Sequence, residues 1–283
     1  MKNTLLKKKT ASKVIYNIIM IALCIIIIFP FLWTFASSFK TIAQIYQEKP
    51  TNLVPKPITT ENYKRIVEIL PFGRFVLNGF FLSVTIPLCM IFIGSMAAFS
   101  LARLRFKGRD AIFILLISTM MIPTYVTLIP NFAIISRLGL RDNYLALFLH
   151  GMFTGMNATV IFFFRQYFLS IPRDLENAAI IDGCSWTGVF FKIVLPNSKP
   201  VIATMIILTF RSIWNSFLWP VIVLDTYEKM TITVGLKYLS EFTSNWGELM
   251  AGSTISILPM VIVYLVFQKY FVSSNINSGF GGN

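Results

Sequence analysis

The sequence predicts an all-α, polytopic membrane protein with six transmembrane helices. Three observations carry that reading. Hydrophobic residues make up 55% of the 283 residues and charged residues only 13%, with a mean hydropathy of +0.70. A soluble domain carries about 25% charge. Apolar stretches long enough to cross about 30 Å of hydrocarbon, at about 1.5 Å per residue, recur along the chain. The few charges gather between those stretches. Folded in water, such a chain would expose apolar area far beyond an ordinary surface patch, and its hydrophobicity also excludes disorder.

The elements follow in order. A basic N-terminus, residues 1–13, precedes a first span at about 14–36. Its apolar run exceeds the roughly 7–15 residues of a signal-peptide core, so it reads as an uncleaved span. The first loop, about 37–73, carries Pro50, Pro55 and Pro57, and its middle is expected to be extended. The second span, about 75–102, lies between Arg74 and Arg103, and the third, about 111–136, between Asp110 and Arg137. The fourth, about 143–164, is interrupted only by His150, and the fifth, about 201–224, only by Arg211. The sixth, about 249–272, completes a six-helix transmembrane body over 14–273. A Gly/Ser/Asn-rich tail, 274–283, is expected to be flexible.

An even number of spans puts both termini on one side. The N-terminus, the second and fourth loops and the C-terminus hold 14 of the 25 Lys and Arg; the other loops hold 10. The excess lies close to span ends, at Lys7, Lys8, Lys9 and Lys13 and at Arg103, Arg105, Lys107 and Arg109. The positive-inside rule therefore predicts a multi-pass protein of the cell membrane with both termini cytoplasmic. The net charge of +13 then orients helices in lipid, and no nucleic-acid partner is read from it. Three cysteines without a C-x-x-C pair, and a single histidine, indicate neither a disulfide framework nor a metal site.

The most informative stretch is the cytoplasmic loop 165–200. Pro172 suits the first turn of a helix, and Asp174 and Glu176 suit its positive end. Leu175, Ala178, Ala179 and Asp182 follow at helical spacing, and Gly183 is placed to stop the helix in a left-handed conformation. A second short helix, Trp186 to Val194, runs up to Pro196. Small Ala178 and Ala179 leave a face that a partner can approach closely.

This loop resembles the signature of the membrane subunits of ATP-binding-cassette importers: E-A-A, three residues, G, nine residues, I-x-L-P. The match runs through Ala178, Ala179, Gly183, Ile193, Leu195 and Pro196. The signature's glutamate falls on Asn177, with Glu176 just before it; Glu176 and Asp182 are expected to supply charge from neighbouring positions. Residues 102–109 (ARLRFKGR), 121–130 (MIPTYVTLIP), 138–140 (LGL) and 214–220 (WNSFLWP) look like the carbohydrate branch of these permeases, of the maltose-permease G type.

The resemblance implies a type I importer permease fold and a division of labour. This chain would pair with a second, homologous permease as a heterodimer, with two cytoplasmic ATPase subunits and an extracellular solute-binding protein. It would translocate a sugar or oligosaccharide; a permease of the same class for an amino acid or peptide is the alternative. The chain lacks a G-x-x-x-x-G-K-[ST] loop and any nucleophile–base or metal-ligand constellation, so it reads as non-catalytic. ATP and Mg would be bound by the partner ATPase, with no cofactor on this chain. Glu176, Asn177, Ala178, Ala179, Asp182, Gly183, Ile193, Leu195 and Pro196 become the ATPase-coupling residues.

Candidates for the substrate pathway follow from the rarity of polar groups in the spans. Arg211 and Asn215 share a helical face, flanked by Trp214 and Trp219, and sugars are held by polar groups together with aromatic faces. Asn78, Ser83 and Asn131 are further candidates, and interhelical hydrogen bonding is the competing role for all of these. His150 reads as a hydrogen-bonded structural histidine rather than a proton relay. Gly151 and Gly155 form a small-xxx-small pair suited to close helix packing. Tyr238, Phe242 and Trp246, in the external loop 225–248, are candidate contacts for the solute-binding protein, with Trp246 equally suited to anchor at the membrane surface.

Overall fold

The computed structural model describes residues 2–47 and 52–278. Its helices are α1 (Lys2–Ser37), α2 (Ile42–Gln47), α3 (Glu61–Ile69), α4 (Phe72–Arg103), α5 (Arg109–Ser118), α6 (Leu128–Arg137), α7 (Tyr144–Phe153), α8 (Gly155–Ser170), α9 (Asp174–Ile181), α10 (Trp186–Val189), α11 (Lys199–Trp214), α12 (Leu218–Val223), α13 (Ile232–Phe242) and α14 (Trp246–Ser278). No strand occurs among the described residues. Among the described residues, three helices are long and apolar enough to cross a bilayer: Lys13–Ser37, Phe72–Arg103 and Trp246–Lys269. Two bent pairs raise the number to five: Tyr144–Phe153 with Gly155–Ser170, at 47°, and Trp186–Val194 with Pro196–Trp214, at 41°.

The stretch read as a third span, 111–136, is not one helix. After α5 the chain makes a 3-10 turn, Thr119–Met121, and re-enters a helix only at Leu128. Pro123 supplies the reason. It offers no N–H and pushes the residue before it out of the helical region, and Ile122 is extended at φ −80°, ψ 116°. The fifth span, 201–224, is likewise interrupted, between Trp214 and Leu218. Pro220 falls in the first turn of α12, where a missing N–H costs nothing. Helix α14 continues through Ser278, so residues 274–278, expected to be a flexible tail, are helical. The rest of that tail and Pro50 lie outside the described residues. Residues 52–60 hold no helix, as the prolines Pro55 and Pro57 require.

The chain divides into two compact units, residues 1–70 with 238–255, and 71–237 with 256–283. In the first, every side chain of α1 from Lys13 to Leu32 is exposed, as a lipid-facing helix requires. Below it, the Asn62 amide donates to the carbonyls of Ser38 and Lys40, both at 2.9 Å. The Tyr63 hydroxyl meets Ser38 Oγ at 2.7 Å. Glu248 is buried at the acidic first turn of α14, where the helix dipole favours it. It accepts from Asn245 Nδ2 at 3.1 Å and lies 3.9 Å from Arg65.

The second unit is built on α4, which packs along α8 and α11. Lipid is as apolar as a leucine, so close fit rather than water exclusion holds such helices together. Small residues make the fit. A Cβ on Gly94 would stand 2.8 Å from Val160 Cγ1, and one on Gly151 would stand 2.6 Å from Ile86 Cγ2. Phe99 then gathers Phe168, Phe190 and Trp186 around it, with ring centroids 5.3–6.3 Å apart. That aromatic cluster ties the end of α4 to the end of α8 and to the loop beyond.

Candidate functional site

The loop between α8 and α11 folds as its sequence dictates. Helix α9 starts two residues after Pro172, with Asp174 and Glu176 in its first turn. It ends at Gly183, whose φ is +82°. Gly183 N–H donates to Ile180 O at 3.0 Å and Cys184 N–H to Ala179 O at 2.9 Å. This pair of bonds is a Schellman stop, satisfying carbonyls that the helix end would leave open. A Cβ on Gly183 would meet nothing within 4 Å, so the backbone angle alone demands glycine there. Ser185 then caps α10, its Oγ accepting from Gly188 N–H at 3.2 Å. Next comes a π turn, Phe190–Val194, closed by Leu195 N–H on Phe190 O at 2.9 Å. Pro196 cannot donate to Lys192 O, so the wider bond takes over.

The residues expected to couple to the ATPase sort onto two faces. Asn177, Ala178, Asp182 and Gly183 are exposed, together with Leu175, Ile180 and Ile181, the last 85% exposed. Glu176 and Ala179, three residues apart and so on one stripe, point inward and are buried. Two expectations are corrected. Ala178 and Ala179 do not share an approachable face, because Ala179 packs against this chain's own core. Glu176 does not supply surface charge: it is 3% exposed and bound to Arg103, Nε to Oε1 at 2.7 Å. A buried carboxylate must be paired. Ile193 and Leu195 are half-buried and pack on the same core, while Pro196 is exposed.

Arg103 is the functional residue that sequence reasoning undervalued. Counted as a charge that orients a span, it is 7% exposed at the last turn of α4. Its Nη2 also donates to Ile171 O at 2.8 Å, just ahead of α9. Burial pushes the Glu176 carboxyl up, against the pull of the Arg103 charge, the Arg173 charge and the Arg103 hydrogen bond. The available signal was complementarity: four bases lie within residues 103–109 and three acids within residues 174–182. Arg165 is also structural. It donates to Leu101 O at 3.2 Å and lies 4.0 Å over the Phe113 ring.

The pathway candidates do not form the cluster expected of them. Arg211 and Asn215 are exposed. Trp214 is 1% exposed, and its indole N–H donates to Ser256 O at 3.0 Å. Trp219 is 5% exposed, and its N–H donates to Ala146 O at 3.2 Å. Asn78 is structural, its amide donating to Glu228 O at 2.7 Å and Met230 O at 3.1 Å. Ser83 is buried in α4. The break after α11 separates Trp214 from Trp219, which explains why helical spacing misled.

What the structure does bring together is His150, Trp219, Asn131 and Asn215, around adjoining cavities. A cavity of about 310 Å³ is lined by Asn131, His150, Thr154 and Trp219 among others. A cleft of about 400 Å³ is lined by Tyr125, His150, Asn215, Ser216 and Trp219 among others. His150 stacks on Trp219, with ring centroids 4.4 Å apart and planes at 17°. It has no hydrogen-bond partner among the described residues, contrary to the expectation of a hydrogen-bonded structural histidine.

Asp142, at φ +54°, joins the loop before α7 to the loop after α12. It accepts from the backbone N–H groups of Asp225 and Thr226, both at 3.0 Å, and from Thr226 Oγ1 at 2.5 Å. Lys229 Nζ donates to it at 2.7 Å. Partial burial works against its charge, but Lys229, Thr226 and the backbone donors outweigh that and hold the carboxyl well below its ordinary range. Of the candidate binding-protein contacts, Phe242 and Trp246 are exposed and Tyr238 is half-buried. Among the described residues no group of His, Cys, Asp or Glu could hold a metal.

Known proteins match this arrangement along most of its length. The chain is similar to the arabinooligosaccharides transport system permease protein AraQ of Bacillus subtilis (strain 168), 39% identical over 233 residues, 81% of each chain. It is similar to the sn-glycerol-3-phosphate transport system permease protein UgpE of Yersinia pestis, 30% identical over 97% of this chain and 99% of that one. Among solved structures, a chain of a bacterial ABC transporter involved in the import of the acidic polysaccharide alginate superposes with a TM-score of 0.81. That likeness covers 91% of this chain and 95% of the other at 27% identity. Residues 90–276 match the family described as the binding-protein-dependent transport system inner membrane component, and the chain belongs to that family.

Proposed function

We propose that this chain is a permease subunit of an ATP-driven importer and carries a sugar or oligosaccharide inward across the cell membrane. The observation that carries the reading is the exposed face of α9: Ile181, Asp182 and Gly183 stand outward on a helix whose other face is fixed to this chain's core by Arg103 and Glu176. An apolar, rigidly based knob on a short helix is a docking element. Its partner is an ATPase subunit, because the chain has no phosphate-binding loop of its own. Two such subunits bind the ATP and Mg. A second, homologous permease completes the pathway, a solute-binding protein delivers the solute from outside, and both termini lie in the cytoplasm. Relatives named for arabinooligosaccharide and alginate transport support a carbohydrate solute.

Gly183→Pro tests the coupling. Proline cannot adopt the positive φ of that position, so α9 loses its stop while the spans stay intact. The variant is expected to reach the membrane at the wild-type level, yet to lose uptake and release the ATPase subunits on purification. Normal uptake with full co-purification of the ATPase refutes the reading.

A further inference from the structure

The geometry points to a carbohydrate subsite centred on His150 that selects neutral, polyhydroxylated solutes over anionic ones. This rests on the reading of the chain as a carbohydrate importer and names the chemistry that the site accepts. Three helix interruptions converge there: residues 122–127 after α5, Thr154 between α7 and α8, and residues 215–217 between α11 and α12. Thr124 and Tyr125 from the first, Thr154 from the second and Asn215, Ser216 and Phe217 from the third all line cavities that His150 also lines. A third, smaller cavity of about 30 Å³ brings His150 against Gly79 and Ile86 of α4. Irregular backbone at membrane depth persists only where protein buries it or where it lines a wet cavity. Discontinuous helices meeting at one point build the solute sites of many secondary transporters, and the same physics of freed backbone groups applies here.

The side chains are held ready. Trp219 is fixed by its bond to Ala146 O, and the His150 ring lies flat against it. The edge of that ring, with its two nitrogens, is what remains for the cavities. Neither His150 nor the amides of Asn131 and Asn215 have a hydrogen-bond partner among the described residues. Polar groups placed so find water or solute. A neutral imidazole offers one donor and one acceptor, and each amide offers both. Sugar hydroxyls do the same, so the sets are complementary. The two larger cavities, about 310 and 400 Å³, fall in the range of about 300–1,000 Å³ that small-molecule sites occupy.

Charge decides the class. Among the described residues, no Lys, Arg, Asp or Glu lines any of the three cavities, Arg211 included. A phosphate or carboxylate moved into this site would lose its hydration with no cation to replace it. A hydroxylated, uncharged ring suffers no such penalty.

The test uses the complete importer, reconstituted with its partner permease, ATPase and solute-binding protein, and three probes: arabinotriose, sn-glycerol 3-phosphate and an alginate trisaccharide. Arabinotriose is expected to be taken up and the two anions to be poor substrates. His150→Phe keeps a ring on Trp219 and removes both nitrogens. It is expected to raise the KM for arabinotriose roughly tenfold, the effect of one lost hydrogen bond, and His150→Gln to restore most of it. If His150→Phe fails to assemble, Asn131→Leu on another wall of the cavity is expected to raise KM in the same way. Unchanged KM in His150→Phe, or in Asn131→Leu where it stands in, overturns the subsite. Equal uptake of the anions overturns its selectivity, and either result leaves carbohydrate import standing. A wild-type importer that takes up none of the three and imports a different class of solute refutes the carbohydrate reading itself.

Discussion

Replacing Arg103 by Met leaves Glu176 buried without its counter-ion, and the size of the loss follows from the carboxyl's choices. Glu176 is 3% exposed, and Arg103 supplies its 2.7 Å contact. Losing one partner of a buried pair costs about 3–5 kcal/mol. The same figure follows from protonation. To stay buried, Glu176 must take up a proton. At pH 7, about 2.7 pH units above a free glutamate at about 1.36 kcal/mol each, that costs about 3.7 kcal/mol. In the variant the folded-state pKa lies above the unfolded one. Stability is therefore fully present below about pH 4.3 and falls as pH rises toward the folded value. Thermal unfolding of the purified transporter should show Arg103→Met well below wild type at pH 7, by roughly 8–15 °C at about 2–4 °C per kcal/mol. At pH 5 the gap should shrink to a few degrees. Arg103→Met combined with Glu176→Met removes both charges and should recover most of the loss, since apolar replacements of a buried pair are near neutral. A single variant that melts with wild type, or a double variant as unstable as the single one, refutes the reasoning.

Three further outcomes are expected. Ile181→Ser should leave the melting temperature unchanged, because the side chain is 85% exposed, while weakening ATPase co-purification. Gly151→Leu places a side chain where a Cβ already stands 2.6 Å from Ile86 Cγ2. Overpacking of about 1–3 kcal/mol should lower the melting temperature at every pH. Asp142→Asn loses charged hydrogen bonds worth about 1.5–3 kcal/mol each before solvent screening. Because the Asp142 carboxyl is held low, its stabilisation is present above the ordinary carboxylate range and lost as pH falls below it. Melting of Asp142→Asn should therefore trail wild type at neutral pH and converge with it in acid.

Much of this was legible before any coordinates. The helix boundaries of the loop 165–200 read correctly because their signals are local: a proline start, acids in the first turn, a glycine at φ +82° and a serine cap. Gly151 and Gly155 do sit at close approaches, to Ile86 and to the Met120 backbone. The failures share a cause. Hydropathy registers depth in the membrane and is blind to breaks inside an apolar run, so 111–136 read as one helix despite Pro123. The Arg211–Trp214–Asn215–Trp219 cluster assumed a continuous helix through residues 215–217, and the chain turns there instead. Arg103 and Glu176 are 73 residues apart in sequence, and pairing at that distance leaves no periodic trace.

The scarce charges and the broken helices meet on one element. Helix α4 runs unbroken from Phe72 to Arg103. At its C-terminal end it holds Glu176, on the inner face of the helix whose outer face carries Ile181 and Asp182. Seventeen residues earlier, about 26 Å along the axis, Ile86 forms a wall of the smallest His150 cavity and presses on Gly151. Helix α4 stays helical even through Pro87, whereas α5–α6, α7–α8 and α11–α12 are each interrupted. The Arg103–Glu176 pair and the aromatic cluster around Phe99 fasten α9 and the loop after it to the C-terminal end of α4. One uninterrupted helix, α4, thus carries both the anchor of α9 and a wall of the His150 cavities, while the three helix breaks gather around His150.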